Sequence, residues 1–148
     1  MTDITNTTRI TQVTTVFVPV ADQARALEFY IDKLGFEKRS DFAYGGGRWI
    51  EVCPKGSTYA IALVPRTEGQ PVGGDQTYCA LMTTDIGADH ALLKARGVEV
   101  DAEIGRKGTS RPGLFSLEVN IDDPMPAQFS FRDLDGNRFL IVEPPLTP

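Results

Sequence analysis

One histidine, His90, and two cysteines, Cys53 and Cys79, are all that this chain of 148 residues has of the side chains that most often ligate transition metals. No two-histidine site and no C-x-x-C zinc or redox motif can be built within one chain. Basic clusters are missing too. The 15 Lys and Arg are scattered among 20 Asp and Glu, for a net charge of -5, so there is no footprint for nucleic acid or an anionic membrane. No stretch approaches the roughly 20 apolar residues of a membrane span. The N-terminal "MTDITNTTRITQ" has neither the basic nor the apolar region of a leader. These absences predict a cytoplasmic protein with reduced thiols and a small-molecule partner, with no nucleic acid and no membrane.

What is present is a repeat. Asp22 opens "DQARALEFYIDKLGF" and Asp85 opens "DIGADHALLKARGV". Each offers an N-cap Asp, about three helical turns, and a glycine (Gly35 or Gly97) followed by an apolar residue that folds back on the last turn. A strand-like run precedes each helix, "QVTTVFVPV" and "TYCALMTT", and a strand candidate follows each, "FEKRSDF" and "VEVDAEI". The first half continues with "RWIEVCP" and "TYAIALVP", the second with "AQFSFRD" and "NRFLIVEPP". Both halves therefore read βαβββ: one module over residues 12–65, a Gly/Pro-rich linker over 66–76, and a second module over 77–145. A further short strand is expected at 114–121.

Such a module covers one sheet face with its helix and leaves the other bare. The predicted class is α+β, a single domain whose two βαβββ modules form a curved, partly open eight-stranded barrel with the helices outside. Strand alternation then sorts the side chains. Val16, Val18 and Val20 suit the floor beneath the helix, which leaves Thr15 and Phe17 facing the cavity. Trp49, Glu51, Tyr59, Ile61, Tyr78, Met82, Gln128, Ser130, Arg132 and Leu140 are placed inside as well, with Ala60 and Ala62 under the helix.

The segments "VADQARALEFYIDKLGF" and "FRDLDGNRFLIVEP" resemble the helix and hairpin patterns of the vicinal oxygen chelate superfamily, which includes glyoxalases, bleomycin-resistance proteins and extradiol dioxygenases. The resemblance implies that a metal, where one is used, is held at four cavity positions. In this sequence those are Thr15, Ile61, Tyr78 and Leu140, none of them a histidine or a carboxylate, so no metal and no other cofactor is expected. The family's habit, together with an exposed sheet edge, implies a homodimer.

Several features have plain structural readings. His90 lies mid-helix, away from the cavity. "DLDGN" starts like a calcium loop but lacks its glycine and final glutamate, so it reads as a hairpin turn. "YGGGRW" has no phosphate-loop Lys-Ser/Thr and reads as a hairpin tip. Two functional readings stay open. The first is a metal-independent binding protein that holds a partly aromatic molecule among Phe17, Trp49, Tyr59 and Tyr78, as bleomycin-resistance-like proteins sequester ligands, which would include antibiotic resistance. The second is an enzyme of the same superfamily, a lyase, isomerase or dioxygenase acting on a small carbonyl or aromatic substrate; Glu51 would be its general base, with Arg132 or Tyr78 as electrophile. No nucleophile with an adjacent base is visible, which favours binding.

Overall fold

The computed structural model describes residues 7–106 and 126–144. In chain order its elements are β1 (Thr15–Val20), α1 (Gln23–Asp32), β2 (Glu37–Tyr44), β3 (Gly47–Cys53), β4 (Ala60–Pro65), β5 (Thr77–Met82), α2 (Ile86–Ala95), β6 (Glu99–Val100), β7 (Ala127–Arg132) and β8 (Arg138–Glu143). Both modules are βαβββ. The strand expected at 114–121 lies outside the described residues, and the strand after α2 is only two residues long.

The repeated helix signals act as read. Asp22 accepts a hydrogen bond from the Arg25 amide at 3.1 Å and Asp85 one from the Ala88 amide at 3.0 Å. Each such cap contributes roughly 1 kcal/mol. At the other ends Gly35 and Gly97 adopt φ of 72° and 79°. The amides of Phe36 and Val98 then reach back to Tyr30 and Leu93, each at 3.0 Å, closing the last turn, in α2 with the bond pattern of a Schellman motif.

The strands form two four-stranded sheets, ordered β1-β4-β3-β2 and β5-β8-β7-β6. In each, the first strand runs parallel to the last strand of its module. The sheets meet where β1 approaches β5 and do not close. Both helices share one side, since a single core joins Val18, Val20, Ile50 and Val52 of the first sheet to Phe129, Phe131, Phe139 and Ile141 of the second. The helices also exchange hydrogen bonds at their C-terminal ends: Lys33 Nζ donates to the Arg96 carbonyl at 2.9 Å and Arg96 Nη1 to the Lys33 carbonyl at 3.0 Å.

One strand faces the other way from the sequence expectation. In β4, Ile61 pairs with Val16 and Val52, and Leu63 with Val18. Paired residues share a face, so Ile61 and Leu63 lie under the helices and Ala60 and Ala62 on the opposite side. The core takes the larger side chains because covering them removes more apolar surface from water.

The "DLDGN" turn joins the modules. Its Asp133 is 7% exposed and its Asn137 fully buried. Asp133 Oδ1 accepts the amides of Asp135 and Asn137, both at 2.9 Å. Oδ2 accepts Asn137 Nδ2 at 3.0 Å and, from the other module, the Tyr30 hydroxyl at 2.7 Å. Asn137 Nδ2 also donates to the Pro19 carbonyl at 2.8 Å, and Asp135 Oδ1 accepts the Ala21 amide at 3.0 Å. The linker closes over the turn: the Gly73 amide donates to Asn137 Oδ1 at 3.0 Å. A Cβ on Gly73, whose φ is +80°, would come within 2.9 Å of the Asp135 carbonyl oxygen, so only glycine fits.

Burial raises the Asp133 pKa despite these bonds. Burial first, then the Asp133 charge, pushes the Tyr30 phenol well above its ordinary value of 10.0. Above about pH 10 an unfolded chain releases this proton while the folded chain keeps it, so stability contributed by the neutral phenol is lost as pH rises. Tyr30→Phe is expected to lower unfolding free energy at neutral pH by about 1–3 kcal/mol, since a buried carboxylate loses a donor. It should also flatten the alkaline loss by up to one proton. Urea melts at neutral pH and above pH 10 test both, and unchanged midpoints in the variant would show that the hydroxyl does not join the modules.

Candidate functional site

The helix-free face of the first sheet carries the densest group of exposed aromatic side chains. Its register follows from the tip between β2 and β3. Gly45 and Gly46 both have positive φ, 46° and 83°, the geometry of a two-residue hairpin turn. Counting back from it pairs Tyr44 with Gly47 and Phe42 with Trp49. Further along, Glu51 faces Ser40 on one side and Ala62 on the other, and Ala62 in turn faces Phe17.

Phe17, Phe42 and Tyr44 are 58%, 54% and 52% exposed, far more than large aromatics normally remain. The half-buried Trp49 is their centre. Its ring centroid lies 5.9 Å from Phe17 at an interplanar angle of 72° and 6.3 Å from Tyr44 at 73°. Phe42 and Tyr44 are 6.4 Å apart at 61°. Trp49 Nε1 donates to Glu51 Oε1 at 3.0 Å, so indole and carboxylate hold each other's orientation.

Of the residues predicted for the site, Phe17, Trp49 and Glu51 are brought together here, with the half-buried Thr15 at the start of β1 on the same face. Tyr59 stands just before β4 and is 49% exposed. Met82, 76% exposed, ends β5 beside a groove bounded by Lys33, Leu92 and Pro54 on the helix side. Ile61, as described above, is in the helix-side core. Tyr78 also leans toward that side: β5 has a register shift between Thr77 and Ala80, and the Tyr78 ring lies 6.1 Å from that of core residue Phe139. Burial and the Asp133 charge raise its pKa.

The second sheet keeps its polar groups for its own loops. Gln128 Nε2 donates to the Pro126 carbonyl at 3.3 Å, and the Ser130 hydroxyl to Asp101 Oδ1 at 2.8 Å. Arg132 Nη1 donates to the carbonyls of Gly74 and Gly136, both at 2.7 Å, and its other nitrogen lies 3.8 Å from Asp75. Leu140 pairs with Ser130 and Ala80 and is buried. Among the described residues Glu51 and Arg132 form no ion pair: each is engaged within its own sheet. Phe42 and Tyr44 were not anticipated, although the Gly45-Gly46 turn and the register it imposes point to both.

The remaining candidates are structural. His90 Nε2 lies 2.7 Å from the Asp101 carbonyl and its ring stands edge-on to Phe129. Burial raises the Cys53 thiol and pushes that of Cys79 up to about 11, which keeps both protonated and poorly nucleophilic at neutral pH.

Comparison with known proteins matches residues 9–141 to the Glyoxalase/Bleomycin resistance protein/Dioxygenase superfamily. The chain belongs to that superfamily. It is 30% identical over 137 residues to the uncharacterized protein YetH of Bacillus subtilis (strain 168), covering 90% of this chain and 99% of YetH. It is 55% identical over 112 residues to the uncharacterized protein YurT of the same organism, covering 70% of this chain and 87% of YurT. Among solved structures it is similar to TnmS3, an antibiotic binding protein from Streptomyces sp. CB03234. That match has 33% identity and a TM-score of 0.72, and covers 93% of this chain and 99% of TnmS3.

The positions that the superfamily resemblance marks for metal do not fit an ion. Thr15, Tyr78 and Leu140 offer neither carboxylate nor imidazole, and Ile61 lies under the helices. Among the described residues no group of three or more His, Cys, Asp or Glu converges on one point. Elemental analysis of dialysed protein is expected to find no stoichiometric zinc, nickel, iron or manganese, and chelator should leave the melting temperature unchanged, because an absent ligand contributes no linkage. One such ion per chain would contradict the residue assignment.

Proposed function

We propose that this protein is a metal-independent binding module that holds a small, partly aromatic molecule on the helix-free face of its first sheet. The observation that carries the reading is the contiguous cluster of exposed Phe17, Phe42 and Tyr44 around the half-buried Trp49. An exposed apolar patch on a folded domain commonly marks an interaction site, and aromatic walls with a few polar groups are the usual lining of small-molecule sites. The similarity to TnmS3, itself an antibiotic binding protein, supports a ligand of this kind, and with it a role in antibiotic resistance.

Magnitudes indicate what else the ligand needs. Covering roughly 200 Å² of apolar surface returns about 5 kcal/mol at about 25 cal/mol per Å². A micromolar complex requires about 8 kcal/mol net, after the costs of association have been met. The aromatic face alone gives weak adhesion. Glu51, the acceptor beside Trp49, is the group that can add directional binding. The proposal includes a homodimer, in which the unpaired edge of β2 would be covered; light scattering that shows only the monomer mass at high concentration would remove that part.

Trp49 is the sole tryptophan, so its emission reports on the site without a label. Titration with a planar fused-ring compound such as acridine is expected to change that emission saturably. Phe17→Ala and Tyr44→Ala, which keep the reporter, should each weaken binding roughly tenfold, or about 1.4 kcal/mol. Affinity undiminished in both variants would place the ligand elsewhere.

A further inference from the structure

We infer that the ligand taken by this face carries a protonated, cationic nitrogen, which Glu51 and the surrounding rings select over neutral and anionic analogues. The inference rests on the reading that the helix-free face binds small molecules, and it adds the chemical class.

Three observations converge on it. First, the rings form a corner and not a slot. Phe17 and Tyr44 are inclined to Trp49 at 72° and 73°, and Phe42 to Tyr44 at 61°. A slot for a flat neutral ligand needs two parallel faces. Each of these pairs meets edge to face, so neighbouring rings offer no parallel pair; a cation needs only a single ring face, to whose quadrupole it is drawn, and tryptophan's is the strongest.

Second, Glu51 has an oxygen to spare. Oε1 is taken by the Trp49 indole, while Oε2 makes no hydrogen bond to any described residue. A carboxylate can accept about four hydrogen bonds in all, and a charge-assisted bond from an ammonium is about twice as strong as a neutral one. The indole N–H fixes the carboxylate beside the ring, so one cation can meet both.

Third, the basic side chains of this sheet are committed elsewhere. Arg48 makes a two-pronged contact with Asp41, Nε to Oδ1 and Nη2 to Oδ2, both at 2.8 Å, and Lys38 Nζ joins Asp41 at 3.2 Å. The Arg48 hydrogen bonds hold the Asp41 carboxyl well below the usual carboxylate range. Asp41 pairs with Ile50, so this cluster sits on the helix side of the strand, across the sheet from Glu51. Arg39, at the β-bulge, donates Nη1 to the Thr58 carbonyl at 2.8 Å. Glu37, on the same face as Cys53, adds a second carboxylate, with Oε1 3.4 Å from the Gly56 amide. Arg39 keeps its charge on that carbonyl and lies close enough to act on Cys53, so on this face two carboxylates, Glu37 and Glu51, stand against one guanidinium, a balance that still disfavours an anionic ligand.

Calorimetric titration with three compounds on one ring system tests this slightly above neutral pH: 9-aminoacridine, a cation there; acridine, neutral; and acridine-9-carboxylate, an anion. The cation should bind at least tenfold more tightly than acridine and the anion least. Added salt should weaken only the cation. Glu51→Gln keeps an oxygen to accept the Trp49 indole, and in it the ratio of cation to neutral affinity should fall at least several-fold, leaving only the contribution of the rings. Equal affinities for the cation and acridine, or a preference that Glu51→Gln leaves undiminished, would overturn the inference and leave the aromatic face as a binding site. Should Glu51→Gln fail to fold, the ranking and salt response of the unmodified protein decide the matter alone. Binding of none of the three would overturn both the inference and the reading beneath it.

Discussion

The buried carboxylate of Asp133 is the constraint around which the two halves are arranged. A carboxyl group taken from water costs several kcal/mol unless its oxygens are satisfied. Here four donors converge on it: two amides and a side-chain amide from its own turn, and the Tyr30 hydroxyl from the other module. Losing the last of these would leave the turn intact but the charge under-bonded. The placement of α1, which packs on the first sheet, against the second module is thus specified by a polar requirement, whereas the apolar core, including the edge-on contact of Tyr30 with Phe139, supplies non-directional cohesion.

Much of this was legible in the residues because each element carried its own punctuation. The two helices were readable from Asp22 and Asp85 at one end and Gly35 and Gly97 at the other, all of which act through local hydrogen bonds. Faces were readable where large apolar residues alternate with polar ones, as in "RWIEVC". They were not readable in "AIALVP", where every residue is apolar and alternation sorts large from small without saying which set faces the helix. The parallel pairing with β1 decides that, and it is a long-range contact. Tyr78 escaped for a related reason: a register shift changes the face of a side chain without any change of residue type. Arg132 has the partners of a structural residue because linker carbonyls lie beside it, which only the folded chain shows.

The candidate site was half visible. Phe17, Trp49 and Glu51 follow from alternation in strands with clear periodicity. Phe42 and Tyr44 depend on the bulge at Lys38 to Ser40 and on the two-glycine turn, which together bring both rings to the face that carries Trp49. The sheet thus separates two kinds of charge: Asp41 bonded to both Lys38 and Arg48 on the helix side, and on the other Glu51, whose second oxygen has no hydrogen-bond partner among the described residues. The Asp41 carboxylate has little left to offer, whereas an under-used acceptor beside exposed rings does.

Gly73 gives the linker a different character from the tether its composition suggests. Its amide is bound by Asn137, its Cα lies against the turn where no side chain would fit, and the carbonyls of Gly74 and Asp75 are held by Arg132 and Arg138. Residues 73–75 are thereby part of the second module's framework, whereas the Arg66 amide continues the first module's pairing by donating to the Val20 carbonyl at 3.1 Å and the Gln70 amide closes a turn onto the Thr67 carbonyl at 2.8 Å. A circular permutant or an inserted sequence would find its seam in the earlier stretch. The linker is thus tied to the first module at one end and to the second at the other, the form of a strap and not of a free tether.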